Sequence, residues 1–326
     1  MINIKFMDEH QQNNSNDAPE ETEISSPQYQ LPEPLVPPVQ SAFLALIAVF
    51  LLYQVGGSIL TLAIFGFDFQ KADINAVRLL TGAGQIVFIL VPALIFAKFV
   101  FHDVTPIIRF RWPRAKDAGI FVIGLIILVP LLQSYLYLQN YVFQILADNN
   151  GVIKSIKEFL DVVDKFVEQT YSDLLKSNNI FETILIIFIV AVVPAACEEI
   201  FFRGFIQKSF EYRYKPYSAA LLTAFFFGLY HFNPYGLVAL VALGTYLGYA
   251  AYKSDSIAVP VLLHFLNNFI AIMAFFIFGN EEFMTSNVKT EEFSGQMISF
   301  GILIFIFVAF IAWVNKYYKN LQLNKE

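Results

Sequence analysis

Residues 180–203 read IFETILIIFIVAVVPAACEEIFFR. A bilayer core takes about 20 mostly apolar residues per helix, and this run supplies them. It then ends in Glu198, Glu199 and Arg203. Charge inside a membrane span is costly, so ionisable groups at the end of such a run point to function.

The rest of the 326-residue chain has the same character. Hydrophobic residues make up 57%, charged residues 15%, and mean hydropathy is +0.57. A soluble domain is about half apolar and about a quarter charged. There are too few charges here to coat a water-facing surface, so soluble globular, disulfide-framework and disordered classes are excluded. An all-α, polytopic transmembrane helical bundle remains. Cys197 is the single cysteine, which excludes a disulfide framework and any cysteine-based zinc site. The net charge of -6 is no nucleic-acid signature.

Residues 1–40 read as a disordered acidic, Pro-rich arm, with four prolines between Leu31 and Gln40. Such a segment buries too little apolar surface to offset its ordering entropy. No basic stretch leading directly into an apolar one opens the chain. A cleaved signal peptide is therefore not expected, and the first span acts as an uncleaved anchor. Residues 41–318 form the membrane-embedded domain, with a motif core at 180–278, and 319–326 form a cytoplasmic tail.

About eight spans are expected, near 42–66, 77–101, 118–138, 180–200, 217–232, 236–252, 257–278 and 298–315. Lys and Arg in the connections set orientation. Arg109, Arg111, Arg114 and Lys116, then Lys208, Arg213 and Lys215, then Lys316, Lys319 and Lys325 fall on one side of an eight-span chain. That side is read as cytoplasmic, with both termini, in a cell (inner) membrane. The acidic 279–297 loop falls outside, as does the 139–179 connection. Within that connection, 152–177 has apolar residues at helical spacing. It predicts an amphipathic helix lying on the membrane or on the bundle, as a structural cap or a substrate gate.

Ionisable groups inside the apolar region cluster in three places. Glu199 and Arg203 are four apart on a helix and share a face, so they can pair. Glu198 lies about 100° round from Glu199, with no local partner. Desolvation of such a carboxylate raises its proton affinity, which makes it a candidate general base. The plainer reading is a helix emerging at the interface with solvated charges. His231 closes the stretch Phe227-Gly228-Leu229-Tyr230-His231, where a lone histidine is more often interfacial or a satisfied core residue. His264 and Asn268, again four apart, offer N–H donors to one point, as an oxyanion requires; an interhelical polar clamp is the alternative. Of four histidines, His10 and His102 lie in tail and loop. Glu198, His231, His264 and Asn268 converging in one bundle would supply a base, a proton carrier and oxyanion donors.

Glu198-Glu199-x-x-x-Arg203, Phe227-x-x-x-His231 and His264-x-x-x-Asn268, in this order across apolar segments, resemble the CPBP family. These are the CAAX-processing (type II) and bacteriocin-processing enzymes, also called Abi. The motifs cover roughly 190–270. The resemblance implies an intramembrane endopeptidase built as an eight-helix bundle, with a cavity open to the cytoplasm. It implies Glu198 and His231 as the residues that activate water, His264 and Asn268 as holders of the oxyanion, and Glu199 and Arg203 as supports. The partners it implies are a peptide or membrane-protein substrate and the lipid bilayer, with no nucleic acid. A metal-free, glutamate-dependent reaction is favoured. Zinc is the alternative, on Glu198, His231 and His264 with one open position.

Two competing functions stay open at this stage. One is a catalytically silent immunity or scaffold member of the same fold. The other is a proton-coupled transporter, since Glu, His and Arg in spans also build proton relays. The eight-span reading also leaves a discrepancy of depth. His231 lies about 22 Å along its span, His264 about 12 Å into its own, and Glu198 near one membrane surface.

Overall fold

The structure is a computed structural model, and it describes residues 33–67, 72–279 and 292–323. The chain divides into Met1–Leu31 and Pro32–Glu326. The expected disordered arm lies outside the described residues up to position 32, as does most of the acidic 279–297 loop.

Every regular element described is helical. Helix α1 spans Pro38–Phe65 and α2 Ile74–Phe101. The short α3, Thr105–Ile108, leads to α4, Ala115–Asn149. Helix α5, Gly151–Leu175, follows at once. Then come α6, Ile180–Glu211, and α7, Pro216–Tyr230. Helices α8, Leu237–Ser254, α9, Ala258–Phe278, and α10, Phe293–Leu323, complete the chain. Side-chain caps mark several starts. Asp73 accepts from the Ala76 N–H at 2.9 Å. Asn150 accepts from Val152 and Ile153, and Asn179 from Phe181 and Glu182. Each satisfies N–H groups that a helix start leaves without partners.

The expected eight spans are corrected to six among the described residues: α1, α2, α4, α6, α9 and α10 are long and apolar enough to cross a membrane. The two segments expected at 217–232 and 236–252 are helices, but they are not among these six. Helix α7 has 15 residues, about 22 Å of rise, against a core about 30 Å thick. It packs along α8 as a helical hairpin. The fourth span does not stop at 200, since α6 runs on to Glu211. Likewise α10 is helical through Leu323, into the expected tail.

Two π-helical stretches sit just ahead of prolines. Ile86–Leu90 precedes Pro92 in α2, and Phe188–Val192 precedes Pro194 in α6. Proline offers no N–H to the carbonyl one turn back, and a widened turn is one way to absorb that loss.

Helices α6 and α8 meet through a matched register. Gly244 and Gly248 are four apart on α8, as Arg203 and Gln207 are on α6. Arg203 Nη2 donates to the Gly244 carbonyl at 3.0 Å and Gln207 Nε2 to the Gly248 carbonyl at 3.1 Å. A Cβ at Gly248 would sit 2.6 Å from Gln207 Oε1 and 2.9 Å from the Ala220 Cβ, so only glycine allows this approach.

The basic connections gather at one end of the bundle. Arg109 pairs with Glu211 at the end of α6, and Arg111 with Asp255 at 2.8 Å. The Ile257 N–H donates to the Arg109 carbonyl, and Tyr318 of α10 donates to Asp117 of α4 at 2.7 Å. The opposite end carries α5. Buried Arg78 at the start of α2 donates to the Leu174 and Lys176 carbonyls at the C-terminus of α5. A cation there also complements the helix dipole. Midway along, Asp161 of α5 accepts from the Tyr235 hydroxyl, in the α7–α8 turn.

Candidate active site

Helix α6 carries the first cluster in mid-helix. Glu199 and Arg203 are fully buried and pair at 2.7 Å. The same Glu199 oxygen, Oε1, lies 2.8 Å from His264 Nδ1 on α9. Arg203 also lies over the Phe227 ring, 4.5 Å from its centroid. Glu199 thus ties together α6, α9 and, through Arg203, α7 and α8. A buried charge needs such partners, because leaving it alone costs far more than pairing it.

Glu198 turns the other way, into a cavity of about 220 Å³. Its Oε1 accepts from Gln85 Nε2 at 3.3 Å. Its Oε2 is buried with no hydrogen-bond partner, and lies 4.0 Å from His231 Nε2. The cavity is walled by Tyr53 and Gln85 of α1 and α2, by Phe166, Thr170 and Tyr171 of α5, and by the end of α7 at Tyr230 to Phe232.

His231 caps the C-terminus of α7. Its Nδ1 lies 2.7 Å from the Phe227 carbonyl. A carbonyl only accepts, so Nδ1 carries the proton and the neutral ring presents the lone pair of Nε2 towards Glu198. The next residue, Phe232, has φ of 47°. A bulky side chain rarely takes this left-handed conformation, and such outliers cluster at functional sites.

His264 and Asn268 sit on the other side of the Phe227 ring. That ring is 4.5 Å from the His231 ring and 5.8 Å from the His264 ring, centroid to centroid. Neither His264 nor Asn268 lines the cavity. Asn268 Nδ2 donates to the Val190 carbonyl at 3.1 Å, the one to which Pro194 can give no N–H. This bond also ties α9 to α6. The structure therefore brings Glu198 and His231 together, and separately Glu199, Arg203 and His264.

The zinc ligand set is not assembled. Among the described residues no three His, Cys, Asp or Glu side chains group as a metal site, and His264 Nδ1 is engaged by Glu199. The donor geometry does not fit a Glu198–His231–His264 centre.

The discrepancy of depth disappears with the corrected helices. Glu198 lies well inside α6 because the helix continues to Glu211, about 20 Å of rise further on, and His231 closes a short helix of about 22 Å, so the two stand at like distances from the basic end. Gln85 and Tyr53 were missed from sequence because only ionisable groups were sought. An amide within the apolar run 77–101 was the available signal.

Searches of curated proteins and of solved structures give no match. Against family models, residues 180–270 match the one described as Type II CAAX prenyl endopeptidase Rce1-like. This segment runs from the start of α6 through Asn268 and holds all three motifs. The match places residues 180–270, and with them the helices that carry Glu198, His231 and His264, in the Rce1-like family of CAAX-type proteases.

Proposed function

We propose that the protein is an intramembrane endopeptidase in which Glu198 and His231 activate water, and that residues 41–318 are its membrane-embedded catalytic domain. One observation carries this reading: Glu198 Oε2, buried and unpartnered, stands 4.0 Å from His231 Nε2 at a cavity. That gap is too long for a direct hydrogen bond and suits one water held by both. The water donates one hydrogen to the Glu198 carboxylate and the other to the Nε2 lone pair. Glu198 takes a proton as the oxygen adds to the peptide carbonyl carbon. The proton then passes to the leaving nitrogen as the C–N bond breaks.

The oxyanion falls to His264 and Asn268. Each has already spent part of its donor capacity. Asn268 keeps one amide hydrogen beyond its bond to Val190. His264, with Nδ1 donating to the Glu199 carboxylate, offers a second N–H only as an imidazolium. No step in this scheme requires a metal.

The test is cleavage of a peptide library by purified protein. Glu198→Ala and His231→Ala should each abolish it while gel filtration and thermal unfolding stay as in wild type. Normal cleavage by Glu198→Ala overturns the reading.

A further inference from the structure

Gln85 closes the first part of α2, Ile74–Gln85, and the π-helical turn Ile86–Leu90 begins at the next residue. Widened turns of this kind recur at functional sites. The side chain is buried and lines the cavity. Its Nε2 lies 3.3 Å from Glu198 Oε1 and 3.2 Å from the Tyr53 hydroxyl oxygen. A carboxylate only accepts, so the nitrogen end of this amide is the end turned to Glu198. Both hydrogens of Nε2 are thereby spent, one on each partner.

The oxygen end is not spent. Gln85 Oε1 is buried and meets no donor among the described residues. An unmet buried acceptor is costly, and native structures hold few of them. Other buried polar atoms here also lack a partner, but only Gln85 Oε1 and Glu198 Oε2 belong to residues that line the cavity. In the proposed scheme the reacting water takes up Glu198 Oε2. Gln85 Oε1 is left over, one amide's width from the nitrogen that holds the same carboxylate.

We infer that Gln85 is a further catalytic residue, whose Oε1 accepts the N–H of the peptide bond being cut. The inference rests on the proteolytic reading and deepens it. The water oxygen bonds to the carbonyl carbon and one of its protons passes to Glu198. That proton then moves to the leaving nitrogen as the C–N bond breaks, giving a carboxylic acid and an amine. As the nitrogen takes the proton it becomes cationic, and its own N–H becomes a stronger donor to Oε1. The contribution is therefore greatest in the transition state and falls on kcat more than on KM. One amide works at both ends, with Nε2 steadying the base and Oε1 the leaving group. It also limits the substrate. The residue after the cut must carry an N–H, which excludes proline there.

The test pairs an amide with an ester. A peptide found cleaved in the library is resynthesised with oxygen in place of the scissile N–H. Gln85→Leu should lower kcat on the amide by about 10- to 100-fold, and on the ester by a factor about 3- to 10-fold smaller, since the ester has no hydrogen on that atom. Gln85→Met, close to glutamine in length, repeats the comparison should Gln85→Leu not fold. A distorted fold or a looser hold on Glu198 would slow both substrates alike. A loss on the ester as large as on the amide, or larger, therefore overturns the inference and leaves the Glu198 reading standing. Normal cleavage by Glu198→Ala overturns the proteolytic reading, whatever the ratio at Gln85. A wild-type protein that cleaves no library peptide overturns both.

Discussion

Gln85 of α2 donates from Nε2 to Glu198 of α6 at 3.3 Å, and the same nitrogen reaches the Tyr53 hydroxyl of α1 at 3.2 Å. One amide thus holds the proposed base from two neighbouring helices. A hydrogen bond to a charged group contributes about 1.5–3 kcal/mol, and each 1.36 kcal/mol on a barrier is about tenfold in rate. Gln85→Leu should lower kcat by about 10- to 100-fold with KM little changed. Steady-state kinetics decide it, and an unchanged kcat would remove Gln85 from the site.

Arg203 is the counter-charge of buried Glu199. Removing one member of a buried pair costs about 3–5 kcal/mol. Arg203→Ala should unfold at a markedly lower temperature in detergent and be recovered in lower yield. Arg203→Lys should fall between, since an ammonium cannot reach both Glu199 and the Gly244 carbonyl with the planar fork of a guanidinium. Wild-type stability in Arg203→Ala would mean that Arg203 is not what holds α6 to α8.

Gly248→Ala places a methyl against Gln207 and Ala220. Overpacking of this kind costs about 1–3 kcal/mol. Gly119 of α4 has open space where its Cβ would be, so Gly119→Ala should be neutral or stabilise by up to about 1 kcal/mol. Thermal unfolding of the two variants side by side gives the comparison, and equal values would refute the close approach.

Asp161 fastens α5 to the α7–α8 turn. Burial works against its charged form, but hydrogen bonds from Lys157 and Tyr235 outweigh that and hold its carboxyl below the usual range. A depressed carboxyl contributes stability above its unfolded pKa, about 3.9, and loses it as pH falls through the lower folded value. Amide exchange over 151–175 should therefore quicken below about pH 4. Tyr235→Phe should show faster exchange already at neutral pH. Identical protection in wild type and Tyr235→Phe would dismiss the latch.

Much of the fold was legible because apolar length is a strong signal. Span count was not, since 217–232 and 236–252 are apolar enough to suggest spans. What separates them is length and composition: α7 has only 15 residues, and α8 mixes glycines, tyrosines and Lys253 into its apolar run. The pairing of Glu199 with Arg203 followed from helical spacing alone. The assignment of His264 to Glu199 rather than to Glu198 did not, because it depends on how α9 is rotated against α6. Gln85 was invisible to a search for charge, though an amide in an apolar run satisfies the same physical criterion.

Pro194 has one more effect. By withholding an N–H from the Val190 carbonyl, it leaves an acceptor at a single level of α6, and Asn268 docks there. His264 is one turn before Asn268 on α9, so the level of that acceptor sets the height at which His264 meets Glu199. A missing hydrogen on one helix thereby works as a vernier for an imidazole on another, and moving the proline by one residue would mis-set the pair without touching either member.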